Sequence, residues 1–164
     1  MGMFCLYDPS GLDTNIVVSA LLKSGGVPDA VLSLAVNRVV ELCVSESILA
    51  EYQEVLNRPK LAIAPQRVDR ALTRIREVSL IVQPSTSVRA CSDRDDDIFL
   101  ECAQAACANY VVTGNTAHFP DVWVETKIVS ARQFLELIID TQRGELPGRC
   151  GRSLTHISHP PNRS

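Results

Sequence analysis

Residues 91–115 read CSDRDDDIFLECAQAACANYVVTGN, and the order of features within them decides the fold. Four acids, Asp93, Asp95, Asp96 and Asp97, fall within five residues; an apolar helical pattern follows, and a valine-rich strand with a glycine turn closes the stretch. Carboxylates in a first helical turn accept hydrogen bonds from free amides and favour the positive end of the helix dipole. One or two acids would meet that need. The surplus points to a cation or a second role.

Outward from this stretch, apolar segments alternate in type. Upstream, residues 14–23 (TNIVVSALLK) read as a helix, and residues 28–38 as a second with Pro28 in its opening turn. Residues 39–45 (VVELCVS) form a strand, and a helix follows with Ser45 as its N-cap, ending before Pro59. Residues 65–79 give an amphipathic helix with Val68, Leu72 and Ile75 on one face and Arg67, Arg70 and Arg74 on the other; residues 80–84 give a strand. Downstream, residues 110–115 and 127–130 are strands and residues 131–140 the last helix. The order β-α-α-β-α-α-β-α-β-β-α predicts an α/β protein: a three-layer α/β/α fold on a central, mainly parallel sheet of about five strands.

The first strand is the irregular one. MFCLY, residues 3–7, runs into DPSG, and Pro9 and Gly11 are poor interior strand residues. Either the strand covers residues 4–7 with a bulge, which makes Asp8 a rival to Asp13, or it is short and distorted. Asp13 is preferred because Thr14, Asn15 and the helix follow it directly.

At 164 residues and 46% hydrophobic content, the chain suits one globular domain. No run of about 18 uncharged apolar residues suggests a membrane span, and no basic region precedes an apolar stretch as in a secretory signal, so a cytoplasmic protein is expected. The six cysteines are scattered without a CxxC pair and read as reduced, buried small hydrophobes. From residue 141 onward four arginines stand against one glutamate, a tail of +3, which leaves −6 on residues 1–140. An acidic body of this kind does not look like a general nucleic-acid binder. Residues 141–164, with little apolar periodicity, read as a disordered basic tail behind a domain at residues 1–140.

Several acids hold corresponding places in this layout. Asp13 lies just before the first helix, Glu51 one turn into the third, and Asp96 at the start of the DDIFLECA helix. Ligands of open α/β sheets bind beyond the carboxyl ends of the strands, where such positions converge. Asp96 shares a helical face with Phe99, Leu100 and Ala103, so it points to the sheet edge; Asp97 falls about 100° around, nearer solvent, as a dipole partner or a metal ligand. Two carboxylates about 4 Å apart repel by roughly 4 kcal/mol at an effective dielectric of about 20. Three converging acids must take up protons or hold a cation, and oxygen-only donors favour Mg²⁺ or Mn²⁺.

The motifs LDTNIVVSALL, SESILAEYQEVLNRP and DRDDDIFLECAQAACANYVVTGNTAHFP, in this α/β order, resemble a PIN domain, and most of all the toxin components of bacterial toxin-antitoxin pairs. The resemblance covers residues 12–139. It implies a metal-dependent ribonuclease in which Asp13, Glu51 and Asp96 are the first three acids of the pocket. The family's fourth acid, in a TGD-like turn, is replaced here by Asn115, an amide that offers oxygen without charge. Thr113 would help orient the attacking water, against the plainer role of a strand-end hydroxyl capping the turn. Asp95, Asp97 and Asn15 are accessory candidates, and His118 and Asp121 are either loop residues or compensation for the missing acid.

The same resemblance implies cleavage that leaves a 5′ phosphate and a 3′ hydroxyl. Arg67, Arg70 and Arg74 are an RNA track or a solvated helix face, with Arg58 and Lys60 ahead of them. Phe119 and Trp123 are the local aromatic candidates for base stacking, or core and loop anchors. The implied partners are RNA, a small antitoxin in an apolar groove and a second copy in a homodimer. The rival classes are a PIN scaffold without catalysis that binds RNA or a partner, and a phospho-acceptor receiver domain. The receiver needs a lysine after a late strand, whereas Lys127 precedes its strand.

Overall fold

The structure, a computed structural model, describes residues 7–143. Its strands are β1 (Tyr7–Leu12), β2 (Val40–Val44), β3 (Leu80–Ile81), β4 (Tyr110–Val112), β5 (Val122–Trp123) and β6 (Thr126–Val129). They form one sheet in the order β3-β2-β1-β4-β6-β5, parallel throughout except between β5 and β6. The helices are α1 (Thr14–Leu22), α2 (Val27–Val36), α3 (Glu46–Leu56), α4 (Pro65–Val78), α5 (Asp97–Ala106) and α6 (Ala131–Arg143). This is the three-layer, mostly parallel α/β/α arrangement that the segment order predicts.

The core lies where a parallel sheet is covered on both faces, so β4 and most of β2 read as apolar runs rather than alternating ones, while β1, with Asp8, Pro9, Ser10 and Gly11, does not. Leu12, Leu42, Val44, Val111 and Val112 from the strands meet Val17, Ile48, Phe99, Leu100 and Phe134 from the helices. Among the described residues no single helix is long and apolar enough to cross a membrane. Of the four described cysteines, all free, Cys43 and Cys102 are buried as expected of small core hydrophobes, whereas Cys91 is half-buried and Cys107 is exposed; Cys5 and Cys150 lie outside the described residues.

The structure corrects four expectations. First, β1 does not stop before DPSG; it runs through Pro9 and Gly11 to Leu12 and delivers the chain straight to Asp13. The register with β2 jumps between Tyr7↔Val40 and Ser10↔Leu42, three residues against two, which is a bulge. Pro9 sits in that jump, where its missing amide costs no ladder bond, and its carbonyl accepts the Asn109 amide at 2.9 Å. Residues 4–6 lie outside the described residues.

Second, a hairpin strand, β5, precedes β6 and is too short to leave a period in the sequence. Third, β3 is two residues long and exposed at the sheet edge, not a five-residue strand. Fourth, α6 continues to Arg143, past the boundary expected at residue 140; the rest of the tail lies outside the described residues.

Candidate active site at the carboxyl ends of the central strands

Strands β1 and β4 are neighbours, with Leu12 opposite Val112. The next residue on each is therefore Asp13 and Thr113, side by side where the strand order reverses, the crevice in which open α/β sheets bind ligands. The Asp13 amide donates to the Val112 carbonyl at 2.9 Å, extending the ladder by one step. Thr113 Oγ1 donates to Asp13 Oδ2 at 2.6 Å, and Asn15 Nδ2 donates to the same oxygen at 2.9 Å. Asn15 Oδ1 in turn accepts the Gly114 amide at 3.0 Å, so one amide side chain ties the start of α1 to the turn after β4. A Cβ on Gly114 would stand 3.2 Å from that oxygen, so a larger residue there would press on the Asn15 side chain.

Glu51 comes from α3, whose position is fixed at two points. Ser45 caps the helix by accepting the Ile48 amide at 3.3 Å. Tyr52, buried beside Glu51, donates its hydroxyl to the Leu12 carbonyl, one residue before Asp13. Asp96 ends a 3-10 turn, Arg94–Asp96, and is the N-cap of α5. Its side chain is 18% exposed, and Oδ2 lies 3.4 Å from His118 Nδ1.

Electrostatics link the three acids. Burial raises the Asp13 carboxyl above its ordinary value, against the lowering effects of the Thr113 hydroxyl, the nearby Thr14 and Asn15 amides and the Asn15 side chain. Burial likewise raises Glu51, with Glu54, Asp95 and Asp13 adding to it and Arg58 opposing. Asp96 is pushed up to about 6 by burial, then by Asp13 and Asp93, with His118 opposing. Asp13 thus acts on both other acids: the three share one field.

A family model described as a PIN domain matches residues 12–117. The chain belongs to the PIN-domain family. A Methanocaldococcus jannaschii protein, described only as uncharacterized, is 33% identical over 107 residues, covering 63% of this chain and 68% of its own length. The family is one of nuclease-type folds that typically use divalent metals. The all-oxygen acid set of this PIN domain fits a hard dication in kind. Among the described residues, no three His, Cys, Asp or Glu side chains stand close enough to form a ready coordination shell.

The remaining site residues of this PIN domain fall in two groups. Asp97 is the correction: expected nearer solvent, it is buried, and its Oδ1 accepts the amides of Ala90 at 2.9 Å and Cys91 at 2.8 Å. Burial alone would raise this carboxyl; hydrogen bonds from the Cys91 and Ala90 amides and the Cys91 thiol, with the Arg94 charge, hold it below its ordinary value. Asp97 therefore clamps the segment leading into α5, which no helical wheel could show because its partners precede the helix. Asp95 is exposed and reaches the site only through its charge on Glu51. Asn115 is exposed at the N-cap of the 3-10 turn Thr116–His118 and makes no side-chain cap bond there.

The arginine stripe stands apart from the acids. Arg67, Arg70 and Arg74 line a groove of about 310 Å³ floored by Leu21, Leu32 and Ile75. Arg74 is already engaged, donating to the Val36 carbonyl at 2.9 Å. Phe119 is buried in the core, and Trp123 is half-buried with its Nε1 donating to Gln104 Oε1 at 3.2 Å; both serve as anchors here. Sequence reasoning missed Tyr52 and the bridging role of Asn15, although both stand next to or near a chosen acid.

Proposed function

We propose that this PIN-domain protein is a metal-dependent ribonuclease, acting as the toxin component of a toxin-antitoxin pair. The observation that supports the nuclease proposal is Asp13 at the switch point of the sheet, held by Thr113 and Asn15, with its charge felt by Glu51 and Asp96, the carboxyls of all three being raised. Carboxylates kept in that state are discharged by protons at low pH and by a dication at neutral pH. Asp13, Glu51 and Asp96, with the neutral oxygen of Asn115, would hold Mg²⁺ or Mn²⁺. Such an ion, when bound, activates water and neutralises charge on a scissile phosphate.

The chain's own residues do the positioning. Thr113 fixes one oxygen of Asp13 and leaves the other free of that bond, and Asn15 restrains the same carboxylate from the helix side. The backbone of a single-stranded RNA meets an acidic pocket only with help from positive charge outside it, which the Arg67, Arg70 and Arg74 stripe supplies. The toxin role rests on the motif resemblance alone, with a small antitoxin and a second copy of the chain as its partners.

The test is cleavage of a mixed single-stranded RNA with Mg²⁺, Mn²⁺ or EDTA, for the wild type, Asp13→Asn and Asp96→Asn. Metal-dependent cleavage lost in both variants supports the nuclease. RNA binding without cleavage under either metal supports the scaffold alternative, which the uncharged and exposed Asn115 favours.

A further inference from the structure

Glu51 and Asp13 each stand one residue away from a partner in the same buried hydrogen bond. Tyr52, next after Glu51 on α3, donates its hydroxyl to the carbonyl of Leu12, the last residue of β1 and the one before Asp13. The ring is fully buried in the stripe Ile48, Tyr52 and Leu56, spaced as one helix face. Pairing of β1 with β2 reaches Ser10↔Leu42, whereas pairing with β4 goes on to Leu12↔Val112. The Asp13 amide donates to Val112 on β4, and peptide groups alternate sides along a strand, so the Leu12 carbonyl faces away from β4. The hydroxyl meets it there, past the last β1–β2 register pair. A phenylalanine would fill the same stripe, so burial alone does not call for the hydroxyl.

Resting on the nuclease proposal above, we infer that Tyr52 is a positioning residue: its hydroxyl ties α3 to the end of β1 and so fixes the separation of Glu51 and Asp13. Thr113 and Asn15 hold the Asp13 carboxylate from β4 and α1, while Tyr52 holds the backbone behind it from α3. Acids that act on one phosphate need their spacing kept to about half an ångström, and a misplacement of about 1 Å can cost about a hundredfold in rate. The plainer role for Tyr52 is a satisfied core hydroxyl, which stabilises the fold and leaves the rate alone. The two roles differ in what removing one oxygen atom does to cleavage.

The experiment compares the full-length wild type with Tyr52→Phe and with Ile138→Val, a core change on α6, which carries none of the three acids. Melting curves set a temperature at which all three proteins are folded. Cleavage of single-stranded RNA with Mn²⁺ gives kcat and KM, and hydrogen exchange at the Asp13 amide, measured without metal, reports on the end of β1. In Tyr52→Phe kcat should fall about tenfold or more with KM within about twofold, because the hydroxyl is buried out of reach of RNA. The Asp13 amide should exchange about tenfold faster, and Ile138→Val should keep both readouts within about twofold of the wild type. A Tyr52→Phe protein that keeps the wild-type kcat, or the wild-type exchange at Asp13, overturns the inference whatever its melting temperature and leaves the nuclease proposal standing. A wild type that cleaves no RNA with Mn²⁺ or Mg²⁺ overturns both.

Discussion

Thr113 and Asp13 are 100 residues apart in the chain and joined by a hydrogen bond of 2.6 Å between buried side chains. A hydrogen bond to a buried charge is worth about 1.5–3 kcal/mol. Thr113→Val keeps the shape and removes the donor, so it should destabilise the fold by about that amount at neutral pH. It should also raise the Asp13 carboxyl further and cut cleavage at least about tenfold. Thr113→Ser should retain most of both properties, as urea unfolding and RNA cleavage rates would show.

Asp96 and Asp97 are adjacent in sequence and opposite in energetics. Without a cation, Asp96→Asn removes a destabilised charge and should raise stability at pH 7.5 by about 1 kcal/mol. Asp97→Ala strips two amides of a charged acceptor and should cost at least about 2 kcal/mol. Urea melts of the two variants side by side would reveal the opposite signs; a loss in both would remove the claim that Asp96 is strained by its neighbours.

Asp96 has a folded-state value of about 6 against an ordinary 3.8, so the folded protein holds more protons than the unfolded chain between those values. Stability should therefore fall as pH rises from about 4 to about 6, by about 1–2 kcal/mol after allowance for solvent screening. Asp97 and Glu46, both lowered, act with the other sign and lose their contribution as pH falls below the ordinary carboxylate range. The cation-free melting temperature should then peak near pH 4, where the two opposing trends meet. Adding Mn²⁺ should restore stability above pH 6 and do little at pH 4.5.

Val124 sits in the two-residue link of the β5–β6 hairpin with φ 55° and is 67% exposed. A β-branched residue in the left-handed region is strained, by roughly 1–2 kcal/mol. Val124→Gly should raise stability by up to about 1 kcal/mol once the added freedom of the unfolded chain is counted, visible as a rise of a few degrees in melting temperature.

If the stripe on α4 guides RNA, replacing Arg67, Arg70 and Arg74 together by alanine should lower affinity. It should also flatten the salt dependence, by about 0.7 in the logarithmic slope for each phosphate that the arginines neutralise. An unchanged slope in fluorescence anisotropy would assign the stripe to the α1–α2–α4 groove alone.

Long-range order was legible wherever the period was long. The α3 and α4 patterns, with Ser45 as a cap and Pro59 as a stop, gave those helices nearly to the residue. What failed was short or non-local. The bulge at Pro9 depends on the partner strand, which no local propensity contains. The burial of Asp97 depends on amides in the preceding loop, whereas helical spacing speaks only of residues that follow. Likewise, DTN and TGN each read as local turns, and only the parallel pairing of β1 with β4 turns Asn15, Asp13, Thr113 and Gly114 into one hydrogen-bonded group.

The place of β1 in the sheet also governs timing during synthesis. β1 is made first among the described strands, yet it lies between β2 and β4, and its partnership with β4 waits for residues 110–112. Asp13 cannot meet Thr113 until some hundred residues more have left the ribosome. A chain interrupted anywhere before that point carries the first acid of the pocket but no pocket, so on the nuclease proposal an unfinished copy is harmless to the messenger that encodes it.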